Sequence, residues 1–355
     1  MKDISGDLCL QLGLNLKPRN DSIINKMKIG WMLTSSRNNA GSRMHGWNIH
    51  DYFLAKGIDS EIIYFSPKYD TKLEFSKKEI DKIILEKYDI LVLVGFKSDE
   101  TIIRLVKLTK KAGVKIVYIK TDEISLDLVE ASDATIMVTE FAKSELPLNL
   151  QQKINVVFDG YEQDGSVYKK HTNKKCIKLV FISNNVYSAL PQIKSLPQRV
   201  SLKIIGPPKE RVKKYNIRKK VFSETPYLFE YKVWGLDTVE KDILDCDVAI
   251  IPYPDKHLRA EYINRKSSNR LILFMSYALP TIVSPTKEYE NLIEQGKNGF
   301  IAKSEDDWQK FIRQLRDNPK IRRKIGIAGR NTVVGKYSKE LQAEEYLKVF
   351  KKVIS

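Results

Sequence analysis

The stretch Asn264–Pro285, NRKSSNRLILFMSYALPTIVSP, places a basic, hydroxyl-rich loop directly before a helix, and the helix ends in Ala-Leu-Pro before a buried strand. A helix N-terminus presents free backbone N–H groups and a partial positive charge. Arg265 and Lys266 beside such a terminus predict a site for a diphosphate. An ordinary helix with a Ser or Asn cap and exposed basic residues would have the same sequence. The surrounding sequence must therefore decide between a diphosphate site and a plain capped helix.

Apolar strands alternate with amphipathic helices over short loops on both sides of this stretch. In the first half, strands are predicted over 28–34, 60–65, 90–94, 115–119, 134–138 and 154–162. After a polar linker, strands are predicted over 178–182, 201–205, 231–234, 248–251 and 280–283. Among the helices predicted between and after them are those over 42–56, 305–317 and 319–331. Such alternation indicates parallel sheets covered by helices on both faces. The predicted fold class is therefore α/β, with two Rossmann-like, doubly wound domains facing a cleft where ligands bind.

Composition narrows the class of protein further. Of the 355 residues, 42% are hydrophobic and 30% charged, as in ordinary globular proteins, and no run of about 18 apolar residues occurs. The first residues lack the basic and apolar regions of a signal peptide, so we expect a cytoplasmic protein. Cys9, Cys176 and Cys246 have neither metal-ligand nor CxxC spacing and are expected to be packing residues.

The net charge of +17 is the extreme value of this sequence. A basic surface favours anionic partners, which include nucleotides, lipid headgroups and nucleic acid. Lysine and arginine recur throughout the chain, with clusters over 169–175 and 209–220. A solvated basic face explains this distribution equally well, so the charge alone does not identify the partner.

An ordered set of motifs surrounds the opening stretch. DCDVAIIPYP over 245–254 is a strand that ends near a proline, and KSSNRLILFMSYALP over 266–280 follows it. YENLIEQGKNGFIA over 289–302 and a later DNP precede the terminal helices. This order resembles GT-B glycosyltransferases, especially the bacterial polysaccharide and lipopolysaccharide group known as glycosyl transferases group 1 (family 4-like). The resemblance covers 174–355, and VTEFAKSEL and INVVFDGYE extend it loosely over 28–165.

The resemblance implies domain boundaries. We expect an N-terminal extension over 1–26, an acceptor domain over 27–165 and a nucleotide-sugar domain over 174–335. A C-terminal helix over 336–355 is expected to pack back on the acceptor domain.

The resemblance also implies an activity. The chain is expected to move a sugar from a UDP-, GDP- or CMP-sugar to a saccharide or lipid-linked acceptor, with retention of configuration and with neither metal nor other cofactor. The basic face is expected to hold it on the inner face of the membrane. Since no D-x-D metal motif is evident, cations and helix dipoles must stabilise the leaving diphosphate. The candidates for that role are Arg265, Lys266, Ser267, Ser268, Asn269 and Arg270, and those for nucleotide or sugar contact are Gly206, Tyr253 and Asp255, with His257 nearby.

Two positions depart from the family pattern. Many of these enzymes carry two glutamates eight positions apart, of which the second binds the nucleotide ribose. Here Leu273 occupies the second position and Arg265 the first. A leucine accepts no hydrogen bond from a ribose hydroxyl, so nucleotide recognition must differ. A cation at the first position suits a phosphate or a sugar carboxylate.

The first domain carries the candidates for the acceptor side. A Ser/Asn/Gly-rich loop follows the first strand, and its acceptor or phosphate candidates are Ser35, Ser36, Arg37, Gly41, Ser42 and Arg43. A plain strand-to-helix turn that binds no ligand explains this loop equally well. His45 is a candidate general base, whereas His50, Trp47 and Trp234 are expected to be structural. Asp122 and Glu123 follow a strand and are candidate catalytic carboxylates, although helix-capping acids explain them as well.

The sequence alone leaves two further functions open. A phage-type transferase that glucosylates modified DNA bases would also explain the charge. A non-catalytic GT-B binding subunit would explain Leu273.

Overall fold

The computed structural model describes residues 27–67, 70–71, 80–81, 83, 86–121, 123–184, 195–208, 229–253 and 260–355. The expected extension over 1–26, the basic cluster over 209–220, and the candidates Asp122, Asp255 and His257 lie outside them. The chain divides into two compact units. The first comprises Met1–Ile136, Leu148–Asn155 and Ala343–Ser355, and the second comprises Met137–Pro147 and Val156–Gln342.

The first sheet has six strands in the order β2-β1-β3-β4-β5-β6. Their bounds are β1 Lys28–Leu33, β2 Asp59–Phe65, β3 Ile90–Val94, β4 Lys115–Ile119, β5 Ala134–Met137 and β6 Ile154–Val156. The pairing is parallel between β1 and β2, β1 and β3, β3 and β4, and β4 and β5. All five residues of β3 are buried, as expected for a parallel strand that is covered on both faces.

Short helices alternate with these strands. Their bounds are α1 Ala40–Ser42, a π-helical turn Arg43–Trp47, α2 Asn48–Ala55, α3 Glu100–Lys111, α4 Leu126–Ala131, α5 Glu140–Ser144 and α6 Leu148–Gln151. The sequence predicted one continuous helix over 42–56, whereas the structure widens its first turn into a π-helix. The helix approaches β1 closely there, because a Cβ on Gly46 would lie 2.4 Å from a Leu33 methyl carbon.

The second sheet also has six strands, in the order β12-β11-β10-β7-β8-β9. Their bounds are β7 Ile177–Ile182, β8 Val200–Gly206, β9 Phe229–Val233, β10 Val248–Ile251, β11 Thr281–Val283 and β12 Phe300–Ile301. Each neighbouring pair is parallel. Two six-stranded parallel sheets with surrounding helices confirm the predicted α/β fold class.

The helices of the second half follow the predicted order. Their bounds are α7 Val239–Leu244, α8 Ala260–Asn264, α9 Asn269–Ser276, α10 Lys287–Leu292, α11 Glu305–Asp317, α12 Pro319–Val333 and α13 Lys339–Ile354. Ser304 caps α11 in a capping box with Asp307, and Pro319 stands in the first turn of α12. These local signals explain why the predicted starts of both helices agree with the structure.

Most of α13, from Ala343 onward, belongs to the first unit. The Phe350 ring centroid lies 5.7 Å from both Trp31 of β1 and Phe53 of α2. All three rings are fully buried, so this aromatic cluster holds the C-terminal segment in the core of that unit.

Among the described residues, no helix is both long and apolar enough to cross a membrane.

Candidate functional site

Helix α9 begins at Asn269, at the end of the basic loop over 264–268. Ser268 occupies its N-cap position and is buried, yet the serine side chain makes no capping hydrogen bond. The helix is therefore not closed by the ordinary serine cap that the sequence also allowed. The Ser268 hydroxyl does not accept a hydrogen bond from the first turn of α9, as an N-cap serine usually does.

Arg270, in the first turn of α9, spans two strand ends of the second sheet. Its Nη1 donates to the carbonyl oxygen of Ile182, the last residue of β7, at 3.1 Å. Its Nη2 donates to the hydroxyl of Tyr253, two residues after β10, at 2.5 Å. The guanidinium group is thus fixed at the carboxyl edge of the sheet, where ligands bind in doubly wound folds.

Tyr253 is only 8% exposed. We expected it to face a donor sugar, but its hydroxyl contacts Arg270 and lies 3.3 Å from the hydroxyl of Tyr289. The two tyrosine rings stack at a centroid distance of 6.2 Å. In this structure Tyr253 therefore supports the candidate diphosphate residue Arg270.

Arg265 and Lys266, the other two cations of the loop, have protein partners. The Arg265 Nε forms an ion pair with Glu145, which follows α5 and belongs to the same unit. The Lys266 Nζ donates to the Tyr262 hydroxyl at 2.8 Å and lies 4.1 Å from the centre of that ring. Arg265 therefore has a carboxylate to offset its charge, whereas Lys266 contacts a neutral phenol.

Leu273 packs against the buried apolar cluster that surrounds α9. Its side chain is part of the packing between α9 and the sheet, so the family's ribose contact has no polar substitute at this position. Gly206 ends β8, and its carbonyl oxygen accepts a hydrogen bond from the Trp234 N–H at 2.8 Å. Trp234 is half-buried against the same cluster, so Gly206 and Trp234 lie together at the carboxyl ends of β8 and β9.

The far end of α9 is packed very tightly against α12. Ala278, just beyond α9, has the left-handed backbone angle φ of 56°. Its carbonyl oxygen accepts from His171 Nε2 at 2.9 Å. A Cβ on Gly326 of α12 would lie 2.1 Å from that same oxygen, so only glycine fits there. This contact holds the helix whose first turn carries the candidate diphosphate residues.

Ser35 to Arg43 form a hydrogen-bonded turn between β1 and the π-helical turn. The Asn39 side chain accepts from the Ser42 N–H at 3.2 Å, so asparagine rather than Ser42 is the cap. The Ser42 and Thr34 hydroxyls lie 3.4 Å apart. Ser35 and Ser36 contribute backbone carbonyl oxygens, to Trp47 Nε1 at 3.3 Å and to the Asn39 N–H at 3.1 Å.

The two arginines of this turn are held by the protein. Arg37 makes a bidentate pair with Asp51 at 2.6 and 2.8 Å and lies 4.6 Å from the centre of the Trp47 ring. The hydrogen bond to Asp51 raises the Arg37 pKa. Arg43 is buried, and its Nη1 donates to the Arg37 carbonyl oxygen at 2.9 Å. A Cβ on Gly41 would meet only the Asn39 side chain, at 3.4 Å.

The two histidines of the following helix are both buried. His45, the candidate base, is 2% exposed, and its Nδ1 lies 2.8 Å from the Tyr346 hydroxyl. His50 Nδ1 lies 2.8 Å from the Ser60 hydroxyl, and burial lowers the His50 pKa. The side chains of both histidines thus pack in the interior of the first unit.

Glu123, the described member of the carboxylate pair, is exposed and forms an ion pair with Lys97 at 2.7 Å. Sequence reasoning missed its neighbour Lys120, which is buried and donates from Nζ to the Gly95 carbonyl oxygen at 2.7 Å. Lys120 follows β4 and Gly95 follows β3, so both lie at the carboxyl edge of the first sheet. The signal was a lysine directly after an apolar strand.

Glu288 in α10 was also missed. Burial raises its pKa, and the nearby carboxylates of Asp159 and Glu140 raise it further. Glu140 lies in VTEFAKSEL and Asp159 in INVVFDGYE, two segments of the family resemblance, but their proximity to Glu288 could not be predicted from the sequence. Among the described residues, no group of three or more His, Cys, Asp or Glu side chains has a metal-binding arrangement.

Comparison with known proteins relates this fold and site to a class of enzymes. Residues 244–348, which contain the α9 site, match a family model described as glycosyl transferase-like. A glycosyltransferase from Rickettsia africae has a TM-score of 0.68 at 12% identity, over 93% of this chain and 99% of that one. HepE of Anabaena, in complex with UDP and glucose, has a TM-score of 0.67 at 11% identity, over 92% and 99%.

The lipopolysaccharide outer core galactosyltransferase WaaB, in its apo form, has a TM-score of 0.58 at 14% identity, over 92% of this chain and 99% of that one. No curated protein matches the chain by sequence. The two sheets and these likenesses define a protein of the GT-B fold. Together with the family match over 244–348, they support the group 1-like GT-B glycosyltransferase that the motif order predicted.

Proposed function

We propose that this enzyme transfers a sugar from a nucleotide sugar, bound at the start of α9, to a saccharide or lipid-linked acceptor in surface polysaccharide or glycolipid synthesis. The observation that carries the proposal is the position of Arg270, in the first turn of α9 and fixed across the ends of β7 and β10 at the carboxyl edge of the sheet. The relative HepE has been crystallised with UDP and with UDP-glucose, which supports a uridine nucleotide as the first candidate donor.

The chemistry requires positive charge at the leaving group. When the bond between the anomeric carbon and the diphosphate oxygen breaks, that oxygen becomes negative. Arg270, Lys266 and the N–H groups at the start of α9 are the proposed stabilising groups, with Ser267, Ser268 and Asn269 as hydrogen-bonding partners. Arg265 is the weaker candidate because Glu145 offsets its charge. Retention of configuration and independence of metal remain part of the proposal.

The acceptor side is proposed at the carboxyl edge of the first sheet. The turn over 35–43 and the buried Lys120 lie at the ends of β1 and β4. Among the predicted bases, the exposed carboxylate of Glu123 suits proton transfer better than the buried ring of His45.

A membrane surface is the proposed location of the acceptor. Helix α3 presents Arg104, Lys107 and Lys111 to solvent at helical spacing, with the exposed Leu108 between them. Such a face suits anionic lipid headgroups. Co-sedimentation with vesicles of phosphatidylglycerol and phosphatidylcholine tests this, because Lys107→Glu together with Lys111→Glu should weaken binding and high salt should abolish it. Equal binding to neutral vesicles would exclude this role for the charged face.

The donor proposal is tested with a panel of UDP-, GDP- and CMP-sugars, by following nucleotide release. We expect one donor class to be hydrolysed or transferred by the wild-type enzyme. Lys266→Ala and Arg270→Ala should each lower kcat by at least about tenfold, since each removes a charge from the leaving group. Lys320→Ala, an exposed lysine on α12, is the matched control and should keep full activity. No release from any donor would overturn the proposal.

A further inference from the structure

Arg270 belongs to a chain of three side chains that continues into the interior of the second unit. Its Nη2 lies 2.5 Å from the Tyr253 hydroxyl, and that hydroxyl lies 3.3 Å from the hydroxyl of Tyr289. Tyr289 is fully buried. The three residues come from α9, from the segment after β10 and from α10, so the chain connects three separate elements at one edge of the sheet.

The donor and acceptor roles at the first contact are fixed by chemistry. A guanidinium group has five N–H donors and no acceptor, so the Tyr253 oxygen must accept from Arg270. A phenol hydroxyl that accepts a charge-assisted bond holds its partner in a defined direction only if the phenol itself cannot rotate. The orientation of Arg270 therefore depends on what holds Tyr253.

Tyr253 is held at both ends. Its backbone N–H donates to the Ser284 hydroxyl at 2.9 Å, which fixes the main chain beside the end of β11. Its ring stacks on Tyr289 with an angle of 19° between the ring planes. Tyr289 is itself fixed in the first turn of α10, where its N–H donates to the N-cap side chain of Thr286 at 3.1 Å.

Tyr289 keeps its proton at neutral pH, because complete burial raises its pKa well above the usual value. Its hydroxyl is then a neutral partner for Tyr253, without the negative charge that would pull the guanidinium inward. The tyrosine pair therefore adds no negative charge beside the Arg270 guanidinium.

We propose that Tyr289 is a positioning residue for donor binding: together with Tyr253 it orients the Arg270 guanidinium toward the diphosphate of the nucleotide sugar. The proposal rests on the proposed function of the α9 site. Tyr289 is fully buried, so removal of its hydroxyl should weaken diphosphate recognition selectively, without affecting the base or the ribose. A tyrosine that served packing alone would affect all parts of the nucleotide alike.

The test uses the full chain and calorimetric titration with UDP and with uridine, or with GDP and guanosine if the wild type prefers that base. Tyr289→Phe should weaken diphosphate binding by about fivefold, the usual effect of one hydrogen bond, and Tyr253→Phe by more. Binding of the nucleoside should not change. Tyr277→Phe is the matched control, since that hydroxyl is also buried but bonds Glu240 at 3.0 Å.

A double-mutant cycle separates positioning from packing. In an Arg270→Lys background, the Tyr289→Phe substitution should cost no further diphosphate affinity, because a lysine cannot make the two-sided contact. The proposal is overturned if Tyr289→Phe binds UDP like the wild type, if nucleoside and diphosphate weaken together, or if the loss persists in the Arg270→Lys background. Wild-type protein that binds no nucleoside diphosphate would instead overturn the proposed function, and the positioning role with it.

Discussion

His45 and Tyr346 are separated by 301 positions, and a contact of 2.8 Å joins the Nδ1 of the histidine to the hydroxyl of the tyrosine. The contact ties the π-helical turn after β1 to the middle of α13, inside the first unit. Because His45 is also a candidate base, structural and catalytic roles can be compared at a single residue.

Tyr346→Phe should therefore destabilise the protein by about 1–2 kcal/mol, since it removes a buried hydrogen-bond partner. Urea unfolding followed by circular dichroism measures the loss. Tyr168→Phe is the control, because Tyr168 is 39% exposed, and it should cost far less. A catalytic role for His45 predicts instead that His45→Gln abolishes transfer at unchanged stability; if stability falls and residual activity per folded molecule is normal, the role is structural.

His171 gives the protein a dependence on pH. Burial lowers its pKa, and the positive charges of Arg322 and Lys169 lower it further, while Asp247 and the bond to the Ala278 carbonyl oxygen oppose them. The unfolded chain then binds more protons than the folded one, so stability should fall as pH decreases from about 6.5 through the folded pKa.

His171→Gln should reduce this acid sensitivity, since glutamine can still donate to the Ala278 carbonyl oxygen. Thermal melts at about pH 7.5 and about pH 5.5, on either side of the usual histidine pKa, measure the difference between the two proteins. His50 has a lowered pKa as well, so His50→Gln shows how much of the slope belongs to that residue. An unchanged slope in both variants would contradict the assignment.

The parts of this structure that the sequence predicted are those that depend on local periodicity and capping. Helix α11 was predicted over 305–317 and is observed over those residues, because its capping box and amphipathic pattern are local. The stacking of Tyr253 on Tyr289 could not be predicted, since it depends on how the segments after β10 and β11 come together. The same holds for the ion pair of Arg265 with Glu145, 120 positions away.

Gly41 tests whether the turn over 35–43 approaches a ligand. A Cβ there would meet only the Asn39 side chain, at 3.4 Å, so the fold itself has no need for glycine. Gly41→Ala should leave stability unchanged or raise it by about 0.5–1 kcal/mol, because α1 includes this residue. If the turn contacts the acceptor, the acceptor KM should rise while the affinity for nucleotide stays constant. An unchanged KM would favour a plain strand-to-helix turn.

Gly326 of α12 packs against Ala278, just beyond the C-terminal end of α9, and so sets the position of that helix. A Cβ at this residue would lie 2.1 Å from the Ala278 carbonyl oxygen and 3.0 Å from His171 Nε2, so α12 and α9 must move apart to accept any side chain. Gly326→Ala should therefore cost about 1–3 kcal/mol, as overpacking usually does, even though alanine favours helices.

The displacement should also reach the candidate diphosphate site. Helix α9 is only eight residues long, so a shift at Ala278 moves its first turn, where Arg270 bridges the ends of β7 and β10. We expect weaker binding of UDP by Gly326→Ala at temperatures where the variant is fully folded. Gly335→Ala is the control of similar cost, since Gly335 has a φ of 80° and open space around it. Its destabilisation should come without loss of nucleotide affinity, and equal nucleotide binding by both variants would show that the packing of α12 on α9 does not set the donor site.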